Sequence, residues 1–293
     1  MSRIGDQIRK LTGRKRDRFT ASGVPGESRW FEMLDRTNDR PLADRPFPLS
    51  VYFNRHKCAS RYVLKVLTEY LEPLSVEMLP RVTWGYDLLE TDWALRHIPR
   101  STRLITAGPC SNQVYDLLVK NEAVFNGFHV FRDPRDMVVS GYFSHLNSHP
   151  VRWIHQKHHF QRIQNVSLEE GIRYEIDYLG FLELDALRTW DLNDQRVRNV
   201  KFEDLTANPL EEFSSIFSFL GLPLHPERLA DVFEQVNFKT LSEGRNVGEE
   251  DTSSHYRSGK SGDWGKYLSG ENYRYFLDRY GDVLERLGYS ADS

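Results

Sequence analysis

The stretch Val51-Tyr52-Phe53-Asn54-Arg55-His56-Lys57-Cys58-Ala59-Ser60-Arg61-Tyr62-Val63 constrains this chain more than any other. It reads as a buried strand, a short turn and the first turn of a helix. Leu49, Val51, Tyr52 and Phe53 make the apolar run, and Tyr62, Val63, Val66, Leu67, Tyr70 and Leu71 share one face at helical spacing. A helix starting at such a turn offers unpaired N–H groups and the positive end of its dipole to an anion, and Lys57 adds a full charge at the mouth. The pattern is not the nucleotide-triphosphate loop G-x-x-x-x-G-K-[ST], because no glycine occurs from Val51 to Val63. On this stretch alone, an anion cradle and an ordinary β–α turn with a solvated Lys both stand.

A chain of 293 residues can bury a sizeable core, and 39% hydrophobic with 13% aromatic residues suits a globular enzyme rather than a disordered protein. A net charge of -3 gives no general nucleic-acid or membrane-binding surface, so an anionic ligand needs a local positive pocket. The two cysteines, Cys58 and Cys110, match no zinc spacing and fit a reducing, cytoplasmic setting. No apolar run reaches the length of a membrane span, and the N-terminus lacks the apolar core of a signal peptide. Residues 1–45, with Arg9, Lys10, Arg14, Lys15, Arg16 and Arg18, read as a polar basic arm, and 46–293 as a single domain.

Further strands are expected at Arg103–Ala107, Phe128–Phe131 and Val197–Phe202, with helices at Ser111–Lys120, Asn208–Leu220 and Pro226–Val236. Ser167-Leu168-Glu169-Glu170 is a capping box opening a long helix to about Trp190, read as core scaffolding through Ile172, Ile176, Leu179 and Leu182. Alternating strands and helices imply an α/β fold with a central, mostly parallel sheet flanked by helices, whose ligands bind beyond the carboxyl ends of the strands. Lys57 and Arg132 both fall just past such ends. After Arg132, Asp133 is a good N-cap, Pro134 suits the first helical position, and Asp136 places negative charge at the helix start. Ser140 lies two turns on, beside Gly141, which costs helix stability unless something packs closely there. Residues 242–268 form a long Gly-, Ser- and acid-rich loop carrying His255, Tyr256, Arg257, Ser258, Gly259 and Lys260, then Gly262-Asp263-Trp264; it reads as a lid or a disordered surface loop. His155-Gln156-Lys157-His158-His159 matches no metal-ligand spacing and reads as a solvated loop.

Four segments in order, Lys57 to Tyr62, Arg132 through Ser140, Phe202-Glu203-Asp204 with Asn208-Pro209 and Phe219-Leu220-Gly221, and Arg257-Ser258-Gly259 with Gly262-Asp263-Trp264, together resemble the sulfotransferases that use 3′-phosphoadenosine 5′-phosphosulfate (PAPS). The resemblance implies the P-loop-NTPase-like sulfotransferase fold, with the C-terminal loop as a lid over the nucleotide. It implies that Lys57, Cys58, Ala59, Ser60 and Arg61 hold the 5′-phosphosulfate, that Arg132 and Ser140 contact the 3′-phosphate, and that Arg257, Ser258 and Gly259 cover it. It places Tyr62, Phe202 and Phe238 near adenine. The family's usual turn reads Lys-Ser-Gly-Thr-Thr-Trp; here Cys58 and Ala59 replace Ser and Gly, Arg61 replaces Thr and Tyr62 replaces Trp.

PAPS is then the co-substrate, 3′-phosphoadenosine 5′-phosphate (PAP) the product, and no metal is needed. The acceptor is a hydroxyl or amine of a small molecule or carbohydrate, held by segments between Leu71 and Arg103 and between Leu146 and Ser167; neither nucleic acid nor a membrane span is expected, and the oligomeric state is left open. Lys57 would stabilise charge growing on the leaving phosphate, as in phosphoryl transfer. The position that carries the catalytic His in the cytosolic branch is Gly108 here, so the base is open among a carboxylate of Asp87, Glu90 and Asp92 and the imidazoles of His97, His145 and His149. A P-loop-type kinase and a non-catalytic nucleotide-binding protein are the rival readings.

Overall fold

The computed structural model describes residues 42, 45–79, 88–108, 111–151 and 154–291. The basic cluster of the arm, Asp87 and Cys110 lie outside the described residues, and of Glu90 only the backbone is described. In chain order the elements are β1 (Leu49–Phe53), α1 (Ser60–Leu71), β2 (Met78–Leu79), α2 (Leu88–Arg96), β3 (Leu104–Thr106), α3 (Ser111–Lys120), β4 (Phe125–Phe131), α4 (Pro134–Asn147), α5 (Ile154–Gln164), α6 (Leu168–Leu179), α7 (Asp185–Thr189), β5 (Val197–Lys201), α8 (Phe202–Ala207), α9 (Pro209–Leu220), α10 (Pro226–Gln235), α11 (Phe238–Leu241) and α12 (Gly270–Arg286).

All five strands are parallel, in the order β2-β3-β1-β4-β5. Every residue of β1 is buried, as a central strand covered on both faces requires. Its alternation splits the interior in two. Tyr52 joins Val63, Leu67, Phe128 and Phe217 on one side, while Leu49, Val51 and Phe53 meet Ile105, Val114, Leu118 and Trp190 on the other. From β1 the chain crosses to the β2–β3 side, and from β4 it passes to β5 on the opposite side. Loops leaving these two neighbouring strands in opposite directions open a crevice at the strands' carboxyl ends, where ligands of such sheets bind. The turn bearing Lys57 and the turn bearing Arg132 flank that crevice.

Several sequence expectations change. The segment containing His155 to His159 is a helix, not a solvated loop: α5 buries His159, Phe160 and Ile163 beneath an otherwise polar surface. The long helix opened by Ser167 ends at Leu179, continues through a π-helical turn over Gly180–Leu184, and resumes as α7. Phe202 starts a helix instead of ending a strand. At the end of the basic arm, Leu42 is buried in the core and Arg45 donates to the carbonyl oxygens of Pro99 and Thr102 at 3.0 and 2.6 Å. No helix among the described residues is long and apolar enough to cross a membrane.

Candidate functional site

The turn between β1 and α1 achieves without glycine a backbone that usually calls for it. Lys57 and Ala59 both have left-handed φ, 66° and 57°. Such conformations cost non-glycine residues roughly 1–2 kcal/mol each and persist where the surroundings dictate them. Those surroundings are a buried polar network. Glu183, on the π-helical turn, accepts the backbone N–H of His56 at 3.0 Å and lies 3.7 Å from the Arg55 guanidinium. Arg55 in turn donates to His129 Nε2 at 3.0 Å and to Asn112 Oδ1 at 2.5 Å. Burial lifts the Glu183 carboxyl to about 7, with Arg55 and the His56 N–H pulling the other way.

Ala59 cannot cap α1, and no side chain accepts from the helix's first N–H groups. The helix therefore presents its positive end beside Lys57. Burial, then the charges of Arg132, Arg61 and Arg257, bring the Lys57 ammonium from 10.5 down to about 7, against an opposing pull from Glu175. Burial is the larger cause, and the three arginine charges that add to it mark the turn as an anion site. Cys58 is buried against the turn, where burial keeps its thiol protonated. Arg61 is exposed, Ser60 is half-buried, and the half-buried Tyr62 sets its ring edge-on to Phe213 at 6.2 Å.

Across the crevice, Asp133 caps α4 by accepting the Arg135 N–H at 2.9 Å, with Pro134 in the first turn, as the sequence implied. Arg132 is buried, its guanidinium 4.3 Å over the Phe202 ring, its Nη2 3.5 Å from Asp136 and 3.2 Å from the Lys260 carbonyl oxygen. Its Nε is buried with no hydrogen-bond partner. Phe202 thus serves as a platform for Arg132, which covers one of its faces. From Phe131 to His145, Ser140 is the single residue that is not buried, one polar opening in an otherwise packed helix.

The loop after α11 is knitted together rather than loose. Arg245 donates to the carbonyl oxygens of Glu249, Tyr256 and Arg257 at 3.0, 2.7 and 2.7 Å and to Ser254 Oγ at 2.9 Å. Sequence reasoning did not single out Arg245. Asp136, read from sequence only as a helix-start charge, anchors the loop: its carboxylate accepts the N–H groups of Gly262 at 2.7 Å and Trp264 at 3.2 Å. Arg135 stacks on Trp264 at 3.9 Å. Arg257 is buried and paired with Glu250, and Ser258 donates to Asp263 at 2.9 Å. Gly259 has φ +64°, and a Cβ there would meet the Phe238 ring inside 3.0 Å, so the predicted lid and adenine residues are in contact.

Of the candidate bases, Asp92 accepts from Asn121 at 3.1 Å and pairs with Arg96 at 2.8 Å, and His97 bonds the Trp93 carbonyl oxygen at 2.7 Å and stacks on the Trp93 ring. Both are engaged by neighbours in and beside α2. His145 is brought to the cradle: its Nε2 lies 3.0 Å from Nε2 of His56, the neighbour of Lys57. On its other side His145 Nδ1 bonds Glu175 Oε2 at 3.1 Å, and His159 Nε2 reaches the same oxygen at 2.7 Å. Glu175 is completely buried on α6; burial would raise its carboxyl, but His145 and His159 outweigh that and hold it below the ordinary range. Burial, then His145, Lys57, His149 and His255, push His56 well down, keeping it neutral. His255 of the loop is likewise depressed to about 3, by burial and then Lys57, Arg61 and His149. Gly108 ends β3 in a left-handed turn.

The family model described as "Sulfotransferase domain" matches residues 126–288, more than half of the chain. The chain belongs to the sulfotransferase domain family. Cytosolic sulfotransferase 17 of Arabidopsis thaliana is 29% identical over 183 residues, 54% of this chain, and the match spans about half, 49%, of that relative's length. Sulfotransferase 6B1 of Mus musculus is 21% identical over 280 residues, covering 89% of this chain and 84% of the mouse protein. Among solved structures, mouse sulfotransferase SULT7A1 complexed with PAP superposes with a TM-score of 0.55 at 15% identity, covering 88% of this chain and 90% of that one. The parallel sheet and its flanking helices are thus those of the sulfotransferase fold.

Proposed function

We propose that this sulfotransferase-family protein moves the sulfuryl group of PAPS to a hydroxyl or amine of a small-molecule or carbohydrate acceptor. The observation that carries the reading is the convergence of Lys57, Arg61, Arg132 and Arg257 on one crevice, where the arginine charges add to burial in lowering the Lys57 ammonium. The donors fit a nucleotide with charge at two ends: an uncapped helix start with Lys57 at one, and buried Arg132, with Nε unpartnered, and Arg257 at the other. Lys57, Ser60 and Arg61 with the turn of Cys58 and Ala59 take the 5′ end; Arg132, Ser140, Arg257, Ser258 and Gly259 take the 3′-phosphate. Tyr62 and Phe238 frame the base, and Phe202 steadies Arg132.

PAPS supplies the sulfuryl group: the acceptor-oxygen-to-sulfur (or nitrogen-to-sulfur) bond forms as the bond from sulfur to the 5′-phosphate oxygen breaks. Lys57 and the α1 N–H groups stabilise the charge left on that oxygen. We assign the acceptor's proton to the His56–His145 pair. Glu175 can only accept, so His145 carries its proton on Nδ1 and its lone pair on Nε2. That lone pair accepts from His56 Nε2–H, leaving the basic nitrogen of the pair at His56 Nδ1. The positive charge gained there is stabilised through His145 by the buried carboxylate, which stays ionised, the logic of an oriented catalytic histidine.

Calorimetry with PAP, followed by incubation with PAPS and a panel of hydroxylated and amine acceptors read by mass spectrometry, tests this. PAP binding and a sulfated product are expected. No heat from PAP sinks the reading, and binding without any sulfated product leaves a nucleotide-binding protein in its place.

A further inference from the structure

Around His145 the protein gathers more imidazoles than a proton transfer needs. His56 from the cradle turn, His145 from α4 and His149 just beyond that helix bring ring nitrogens within 4.8 Å of one another. The rings of His56 and His145 are nearly parallel, 5.1 Å between centroids, and His149 stands almost perpendicular to both, 5.1 and 5.2 Å away. Two of the three are oriented from behind. His145 Nδ1 bonds Glu175 Oε2 at 3.1 Å, and His149 Nδ1 faces the Pro150 carbonyl oxygen at 2.9 Å. Carboxylate and carbonyl oxygens only accept, so both rings are protonated at Nδ1, and in the neutral form each carries its lone pair at Nε2. Histidines that bind metals are held in this manner, the far nitrogen donating to a carboxylate or carbonyl that fixes tautomer and ring plane. His56 joins them when its proton sits on Nδ1.

The spacing suits a small cation. Bonds of about 2.0–2.1 Å in a tetrahedral zinc site put ligand nitrogens about 3.4 Å apart. The His56–His145 separation is 3.0 Å, and no pair in the trio exceeds 4.8 Å. Three imidazoles without thiolate select zinc, copper, nickel or cobalt over magnesium or calcium. His56 and His149 are half-buried, which leaves a way in, while Glu175 supplies buried negative charge behind His145. The charges that oppose a cation there are Lys57, the neighbour of His56 in the turn, and the exposed Arg61.

We propose that His56, His145 and His149 form a binding site for one first-row divalent transition cation, beside the Lys57 turn and braced by Glu175. One consequence rests on the base assignment above: an occupying cation takes the His145 lone pair through which His56 gains its basicity, so zinc slows transfer. Binding itself does not depend on that assignment.

The test is titration of the chelator-treated full-length protein with Co²⁺, read by visible absorption, then displacement by Zn²⁺. One equivalent with the absorption of a nitrogen-ligated, low-coordinate ion is expected. His149→Gln, at a half-exposed position, should weaken binding at least about 10-fold, and Glu175→Gln about 10–100-fold, as loss of an orienting carboxylate does. His158→Gln, on an exposed position of α5, should leave it unchanged. Circular dichroism of each variant confirms that the fold is retained. No Co²⁺ bound by the wild type, or equal binding by a folded His149→Gln, overturns the site. Cobalt binding with these dependences, but transfer indifferent to zinc, keeps the site and removes the base assignment. Transfer lost in His145→Gln with no cobalt bound by the wild type does the reverse.

Discussion

The carboxylate of Glu175 fills the space beside Gly141 in which any other residue would carry its Cβ. An ideal Cβ at Gly141 would lie 3.2 Å from Glu175 Cδ and closer still to Oε1. A glycine that weakens the middle of α4 is thereby the condition for placing a buried charge next to His145.

Gly141→Ala should therefore destabilise the protein although alanine is the better helix former. The propensity gain of about 1 kcal/mol is opposed by overpacking of about 1–3 kcal/mol, and the displaced carboxylate no longer holds His145. Urea unfolding should show a net loss, largely relieved when Glu175→Ala is added. Equal stability of Gly141→Ala and wild type would mean that the contact yields freely.

Ala59→Gly should act in the opposite direction. Removing the Cβ at φ 57° releases roughly 1–2 kcal/mol of strain, offset by about 0.4–1 kcal/mol of extra freedom in the unfolded chain. The expected result is an unfolding free energy raised by up to about 1.6 kcal/mol, read by chemical unfolding. A clear loss of stability would show that the neighbours of Ala59, not its backbone, set the cost.

Lys57 ties binding to pH. Its ammonium sits at about 7 in the folded protein against 10.5 for an ordinary lysine, so the unfolded chain holds more protons between those values and stability of the ligand-free protein rises with pH across that window. A bisphosphate favours the charged ammonium and draws its pKa back up. PAP binding at pH 8 should take up close to about one proton, measured by calorimetry in buffers of different ionisation enthalpy, and affinity should fall as pH climbs above 7. Lys57→Met should abolish the uptake. Lys57→Ala should still bind PAP while turnover drops by about 10²–10³. Proton uptake persisting in Lys57→Met would assign it to another group.

Local rules were legible where they suffice to determine structure. The apolar run of β1, the face shared by Val63, Val66 and Leu67, and the Asp133–Pro134 helix start all stand as the chain's own pattern implies. The left-handed backbone at Lys57 and Ala59 was not legible in the cradle itself, because the turn is held by Glu183 from far along the chain and by Arg55 acting through His129. Glu175 was overlooked for a similar reason. An acidic residue is expected on a helix's wet face, and the two histidines that let it be buried lie 16 and 30 residues away. A signal did exist in α5, where His159, Phe160 and Ile163 recur at helical spacing under a polar surface. The two-residue strand β2 and the helix α12 fell in stretches to which no element was assigned.

Asp136 gives the loop after α11 a measurable anchor. Its buried carboxylate, raised by burial and pulled back by Arg132 and the Gly262 N–H, takes two backbone donors from a loop 126 and 128 residues further along. Asn in its place keeps one acceptor oxygen, turns an N–H₂ toward the second donor, and strips Arg132 of its ion-pair partner. A buried donor left unmet costs about 1–3 kcal/mol, felt as easier opening of the loop rather than global unfolding. Hydrogen exchange at the Gly262 and Trp264 amides should accelerate about 5- to 100-fold in Asp136→Asn, with PAP affinity falling in parallel because Arg132 and Arg257 lose their common frame. Exchange unchanged at both amides would place the anchor elsewhere, with Arg135 on Trp264 as the next contact to remove.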